Sequence, residues 1–288
     1  ATPILENGTE EQKQKYLVPL AKGEKLGAFA LTEPNAGSDA AGVKTVAVYD
    51  EATDEYILNG TKCFITGGAR AGVLVIFAMT EPKMGTRGMS AFIVEKGMPG
   101  FSSGKIEDKM GLAGSETAEL VFEDCRVPAA NMLGKKNKGF KIAMMALDGA
   151  RISIGAIASG LAQHAMEVAK NYANERVTFG KPIAKYQGVA FKFADMAAKI
   201  RAIDLMVWDT AQMKSEGQRH TVEAAELKLM SSRWCCEICD ECIQILGGNG
   251  YSREFHVERF YRDAKLLEIG EGTSEIQRMV ISGAVLAK

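Results

Sequence analysis

Residues 119–145 read Glu119-Leu-Val-Phe122-Glu-Asp-Cys-Arg-Val-Pro128-Ala-Ala-Asn131-Met-Leu-Gly134-Lys-Lys-Asn-Lys-Gly139-Phe-Lys-Ile-Ala-Met-Met145, and within them the chain changes character. The first part carries short apolar runs stopped by turn residues. Beyond Gly139 the period becomes helical and breakers almost vanish. The change falls near residue 138 and divides the 288 residues into a β-rich part and an α-rich part.

Upstream of it, apolar runs of strand length occur at Leu26–Leu31, Val43–Tyr49, Tyr56–Leu58, Lys62–Ile65, Val73–Met79, Ser90–Val94 and Glu119–Phe122. Asn59-Gly60 lies between two of them, the dipeptide that most favours a tight hairpin. Gly85, Gly88, Gly97, Pro99 and Gly100 punctuate the remainder. This region is expected to be antiparallel, as a β-barrel or sandwich. Before it, Thr9-Glu10-Glu11-Gln12 has the spacing of a capping box, so one short helix is expected to run to Ala21. Downstream, Phe140–Glu175, Gln187–Glu216 and Thr221–Leu246 are rich in Ala, Met, Leu, Lys and Glu. A final helix is predicted over Ser274–Leu286, opened by a second capping box at Ser274-Glu275-Ile276-Gln277. Three long helices and one short one, joined by short loops, suggest an antiparallel bundle. The expected class is α+β.

Composition narrows the function. Apolar residues make up 47% and charged residues 25%, which is ordinary for a globular chain. Thirty-five Lys and Arg against 36 Asp and Glu leave a net charge of −1, without the basic surplus that nucleic acid or an anionic membrane surface requires. The longest uninterrupted apolar run, around Val73–Met79, is strand-sized, and a bilayer needs roughly 18 residues, so no membrane span is expected. Six cysteines in no regular framework favour a reducing compartment. The opening Ala1-Thr2-Pro3-Ile4-Leu5 lacks an initiator Met and reads as the interior of a longer chain.

Several residue groups could carry chemistry. Cys235, Cys239 and Cys242, with Cys236 beside them, have a spacing compatible with an iron–sulfur cluster. On a helix, however, the same spacing makes one apolar stripe that packs as core. His164, His220 and His256 are scattered without ligand spacing, so no metal site is expected. Gly247-Gly248-Asn249-Gly250 is either a helix C-cap or a place of close backbone approach to a ligand. Thr32-Glu33-Pro34-Asn35-Ala36-Gly37-Ser38-Asp39 is dense in turn residues and backbone donors, and suits either a solvated turn or a cofactor contact. In Gly270-Glu271-Gly272-Thr273-Ser274 the carboxylate either complements a helix dipole or, with little bulk beside it, serves as a general base. Asp148 and Arg151 share a helix face, where a local ion pair is the plain reading.

Seven stretches in order resemble the acyl-CoA dehydrogenase family across essentially the whole chain. They are Phe29–Ser38, Asn59–Thr66, Phe122–Pro128, Arg176-Val-Thr-Phe-Gly180, Gln244-Ile-Leu-Gly-Gly-Asn-Gly250, Arg262-Asp-Ala264 and Glu271-Gly-Thr-Ser-Glu-Ile-Gln277. Asn131–Gly134 and Gly139–Met145 look most like the short-chain, butyryl-CoA-type members. The resemblance implies residues 1–25 as the end of an N-terminal helical domain that is otherwise missing, 26–137 as a central β domain, and 138–288 as a C-terminal four-helix bundle.

It also implies α,β-dehydrogenation of an acyl-CoA thioester. A base takes the α-proton while the β-hydride passes to N5 of FAD, and electrons leave to an electron-transferring flavoprotein. By its place in the motif, Glu271 is that base, its backbone N–H helping to hold the thioester oxygen. Phe29, Leu31, Thr32, Gly37, Ser38, Phe64, Ile65 and Thr66 would line the flavin. Arg176, Thr178, Phe179, Gln187, Gln244, Leu246, Gly247 and Gly248 would hold the FAD pyrophosphate and adenosine of a neighbouring subunit. Thr273 and Glu275 would touch the local FAD, while Ser38, Asp148, Arg151 and Gly272 would meet the substrate. A shared cofactor implies a homotetramer, a dimer of dimers.

Some members carry the base on the first long bundle helix. Here that position is Ala150, which leaves Glu271 as the consistent assignment. Phe64 stands where Trp is frequent, Gly270 where Tyr is common, Ala113 for Arg and His256 for Pro. Rival readings are the same site run as an enoyl-CoA reductase, an acyl-CoA oxidase, or a non-catalytic interaction subunit. The expected location is the bacterial cytoplasm, or the mitochondrial matrix in a eukaryote.

Overall fold

Residues 73–79 and 89–95 are almost continuously apolar, and in the computed structural model, which describes residues 1–287, both are buried central strands. The chain divides into two compact units, Ala1–Ala146 and Leu147–Lys288.

The first unit opens with helices α1 (Thr2–Asn7), α2 (Glu10–Gln12) and α3 (Val18–Ala21), the last two bridged by a π-turn over Lys13–Leu17. The capping box at Thr9 and Gln12 is formed in both directions. The Gln12 amide also donates to Ala130 O and Met132 O, each at 2.9 Å, which fixes the helical segment to the strands.

Eight strands follow: β1 (Gly27–Ala30), β2 (Val46–Asp50), β3 (Glu55–Thr66), β4 (Val73–Met79), β5 (Met89–Glu95), β6 (Phe101–Ile106), β7 (Thr117–Pro128) and β8 (Met132–Leu133). They form one sheet in the order β6-β7-β3-β2-β4-β5-β8, with β1 paired to β4. Two expectations are corrected here. Among the described residues nothing joins the β6 and β8 ends, so the sheet is open and no barrel closes. Nor is it purely antiparallel, because β4 runs parallel to β1 and meets β2 in parallel at Val46↔Met79. Leu58, Leu74, Ile76, Phe92, Val94, Leu120 and Phe122 form much of its core.

Asn59-Gly60 is not a turn. It lies inside β3 at a register shift against β7, and the β2–β3 hairpin turns at residues 51–54 instead. The glycine answers a long-range demand: a Cβ on Gly60 would lie 2.4 Å from Thr45 Oγ1. Asn59 faces β7, donating to Asp124 Oδ1 at 3.0 Å and accepting from Asp124 N at 2.8 Å.

The second unit is helical. Helix α4 (Gly139–Glu175) begins in the first unit; α5 (Gln187–Ser215), α6 (Thr221–Leu246), α7 (Gly248–Tyr251), α8 (Val257–Leu267) and α9 (Ser274–Val285) complete it. Between α4 and α5 lies a two-stranded hairpin, β9 (Val177–Thr178) and β10 (Lys181–Pro182). Helix α6 is central, packing on α5, α8 and α9. Sequence periodicity identifies α4, α5, α6 and α9 but not α8, whose 11 residues fit between motifs. The second capping box is also displaced by one residue. Thr273 is the N-cap of α9, accepting from Ile276 N at 3.4 Å, and Gln277 turns inward.

Alanines 158, 162, 165, 169 and 173 make a buried stripe along α4, facing Met196, Ile200, Ile238 and Ile245. By length and apolar composition alone, part of α4 qualifies as a bilayer span, contrary to the expectation from uninterrupted apolar runs. Its alanine stripe is that of a core helix. Cys235, Cys239 and Cys242 are wholly buried in the same core, with Cys242 Sγ 3.8 Å from Met196 Sδ. All six cysteines are free thiols, and no three His, Cys, Asp or Glu side chains converge as a metal site among the described residues.

Candidate active site

The turn between α8 and α9 gives the helical unit its most distinctive backbone. Glu271 has φ 55° and Gly272 φ 91°. A glutamate in that region is strained and persists only where its surroundings hold it. Three helices supply the hold. From α9, Gln277 Nε2 donates to Gly272 O at 2.8 Å and to Glu271 O at 3.3 Å. From α6, Lys228 Nζ donates to Gly272 O at 2.6 Å. From α4, Arg151 Nε approaches Glu271 O at 3.5 Å. Glycine is required at 272, since a Cβ there would lie 2.8 Å from Gln277 Nε2.

Arg151 is itself fixed. Its Nη1 donates to Asp148 Oδ1 at 2.8 Å, and the other Asp148 oxygen accepts from Thr221 Oγ1 at 2.7 Å. The i, i+3 pair is therefore a local ion pair that also reaches the carboxylate turn. Burial pushes the Glu271 carboxyl above its ordinary value, against the lowering pull of Arg151 and Lys228. A carboxylate raised by desolvation is a stronger base. No backbone acceptor among the described residues takes the Glu271 backbone N–H.

A second cluster forms a cavity of about 400 Å³ lined by Arg176, Thr178, Leu246, Gly247 and Gly248, together with Tyr172, Ile183, Ile245 and Asn249. Gly247 ends α6 at φ 60°, and neither Gly247 nor Gly248 has an atom within 4 Å of where a Cβ would stand. The Gly-Gly pair is thus both a helix cap and an open backbone surface beside a guanidinium. Those features suit a phosphate-bearing ligand such as the pyrophosphate of FAD. Phe179, Gln187 and Gln244 do not line the cavity; Phe179 is 98% exposed on the hairpin tip. Thr273 and Glu275 line a separate cavity of about 300 Å³ with Arg233, Lys265, Glu268 and Arg278.

In the β unit, Cys63 N donates to Thr32 O at 3.0 Å, which sets Thr32 against β3 at the residue that precedes Phe64. Phe64 has φ 55° and is 65% exposed, an aromatic ring displayed by a strained backbone. Phe29 packs against Phe77 at a tilt, with ring centroids 4.9 Å apart. Leu31 is buried, while Gly37 and Ser38 are exposed in the turn that follows.

Two profiles of known families match the chain: the middle domain of the acyl-CoA dehydrogenases over residues 28–125, and their C-terminal domain over residues 137–286. The chain belongs to the acyl-CoA dehydrogenase family. It is an oxidoreductase of a flavoprotein family whose cofactor is FAD. Among relatives, it is 59% identical to the acryloyl-CoA reductase (NADH) of Anaerotignum propionicum over 285 residues, covering 99% of this chain and 72% of that one. The solved butyryl-CoA dehydrogenase of Megasphaera elsdenii superimposes with a TM-score of 0.98 at 51% identity, covering 99% of this chain and 74% of the other. A solved structure that concerns the electron transferring flavoprotein of Acidaminococcus fermentans gives a TM-score of 0.98 at 51% identity, over 100% and 75% of the respective chains.

Sequence reasoning misses Lys228, Gln277 as a turn holder, and Tyr172. Lys228 is detectable in principle, because it shares the helical phase of Ala224, Leu227, Ser231 and Cys235, all buried.

Proposed function

We propose that this acyl-CoA dehydrogenase removes the α-proton of a short-chain, butyryl-like acyl-CoA with Glu271 and yields the trans-2-enoyl thioester. The observation that carries the reading is the Glu271 turn: a carboxyl raised by burial, on a strained backbone gripped at both carbonyls. The α-proton of a thioester is a weak acid, so the base needs donors arranged in advance for the oxygen that gains charge. The backbone N–H of Glu271 is one such donor, typically worth roughly 3–4 kcal/mol. Asp148, Arg151, Gly272 and Ser38 are assigned to the substrate. When bound, FAD supplies the acceptor for the β-hydride. Thr32, Phe64 and Thr66 are assigned to its ring system; Arg176, Thr178, Gly247 and Gly248 to the pyrophosphate and adenosine; Thr273 and Glu275 to the cofactor of their own subunit.

Phe179, Gln187 and Gln244, which stand outside the cavity, fit an assembly in which each subunit completes its neighbour's cofactor site, a tetramer made of two dimers. An electron-transferring flavoprotein is the assigned electron acceptor, in keeping with the likeness to the Acidaminococcus structure. Six free thiols suit a reducing compartment, here assigned as the bacterial cytoplasm.

Glu271→Gln tests the base. The variant is expected to keep FAD and CoA-ester binding while butyryl-CoA no longer bleaches its flavin absorbance; substantial residual bleaching moves the base elsewhere. A second reading, reduction of a short enoyl-CoA at the same site, is favoured by the 59% identity to the acryloyl-CoA reductase. Chemically reduced protein reoxidised faster by acryloyl-CoA than oxidised protein is bleached by butyryl-CoA would select it.

A further inference from the structure

Lys228 stands seven residues past the start of α6 with its side chain wholly buried. An ammonium removed from water needs strong compensation, and its hydrogen-bond acceptor here is the carbonyl of Gly272 at 2.6 Å. That carbonyl belongs to the second of two consecutive left-handed residues, the first of which is Glu271. Gln277, equally buried, shares the same acceptor from the opposite helix, while its Oε1 has no partner of its own.

We propose that Lys228 is a positioning residue for the general base: anchored on Gly272 O, it holds the Glu271–Gly272 turn in its strained form and fixes a positive charge behind the carboxylate. The proposal rests on the reading of Glu271 as the base. The other charged groups around Lys228 come from every side of the turn. Arg151, paired with Asp148, lies on α4; Glu268 ends α8; Glu271 is in the turn; Glu275 is in the first turn of α9. Burial and then Arg151 bring Lys228 down to about 8, opposed by Glu268, Glu271 and Glu275, so the amine still carries its charge at neutral pH. Arg151 and Lys228 together oppose the upward push that burial gives Glu271. Loss of the Lys228 charge raises Glu271 further and leaves it protonated over a wider range of pH.

The test uses the FAD-loaded enzyme and two variants, Lys228→Met and Lys228→Gln, with butyryl-CoA as probe. Flavin content, binding of an unreactive CoA ester and the single-turnover rate of flavin bleaching are measured across pH. Lys228→Met is expected to retain flavin and ester binding but to bleach about a hundredfold more slowly, with the acid limb of its profile moved to higher pH. Lys228→Gln keeps a donor without the charge, so it should recover part of the rate while its acid limb stays displaced. A loaded Lys228→Met with the wild-type rate and profile overturns the proposal. So does loss of flavin and fold in both variants, which would make the residue merely structural. A wild-type enzyme that butyryl-CoA does not bleach overturns the base reading as well, which separates the two failures.

Discussion

Lys62 Nζ lies 2.8 Å from Glu33 Oε1, and the two side chains are only 0% and 8% exposed. The same ammonium donates to Leu31 O at 3.0 Å, and the same carboxylate accepts from Lys44 N at 2.7 Å and Thr45 N at 2.9 Å. One ion pair therefore ties the turn after β1 and the approach to β2 onto β3. Burial brings Lys62 down to about 8. Burial also pushes Glu33 up, but the Lys62 charge and the hydrogen bonds outweigh it and hold the carboxyl below its ordinary value. The segments so joined carry Thr32, Phe64 and Thr66.

Removing one partner of a buried pair leaves the other charge without compensation. Lys62→Met is expected to destabilise the β unit by about 3–5 kcal/mol in urea unfolding. The double variant Lys62→Met/Glu33→Gln should be less destabilised than Lys62→Met alone. A single variant within about 1 kcal/mol of wild type would show that the pair contributes little.

Arg176 lines the cavity beside Gly247 and Gly248. Arg176→Ala should lower the flavin-to-protein ratio after gel filtration, because a guanidinium that can pair with phosphate is lost. Unchanged flavin content would remove Arg176 from the cofactor site.

Stability should turn over in mild alkali. Burial brings Lys62 and Lys228 down to about 8 in the folded chain, against an ordinary 10.5 when unfolded. The unfolded chain binds more protons in that window, so these two groups add stability as pH rises through it. Buried thiols act in the opposite sense. Cys125 is pushed up to about 11, and Cys236 and Cys242 to about 12, while Cys235 also moves upward from the ordinary 9.0. Above pH 9 the unfolded chain gives up thiol protons that the folded chain keeps, and stability falls. The urea midpoint is thus expected to rise between pH 8 and 9 and to fall beyond. A midpoint that climbs steadily to pH 10.5 would contradict the thiol assignment.

Local periodicity suffices for the long helices: α6 spans Thr221–Leu246, as its apolar spacing predicts. It cannot specify sheet topology, because the parallel pairings of β4 with β1 and β2 join segments separated by long connections. Asn59-Gly60 shows the same limit at one residue, since its glycine is set by Thr45, 15 positions away. At the site, Glu271 is legible through the motif that contains it. Lys228 is harder to read, because a lysine on a helix ordinarily reads as solvated, and only its shared phase with Ala224, Leu227, Ser231 and Cys235 marks it as facing inward.

The alanine stripe of α4 has a thermodynamic corollary. Alanine has no rotamers to surrender, so ordering that face costs no side-chain freedom. The same economy leaves no slack. All five alanines are fully buried, so a longer side chain at 162, 165 or 169 would have to displace its neighbours. Evolution can retune this enzyme through its turns and cavity rims, whereas along that helical seam its freedom of sequence is narrow.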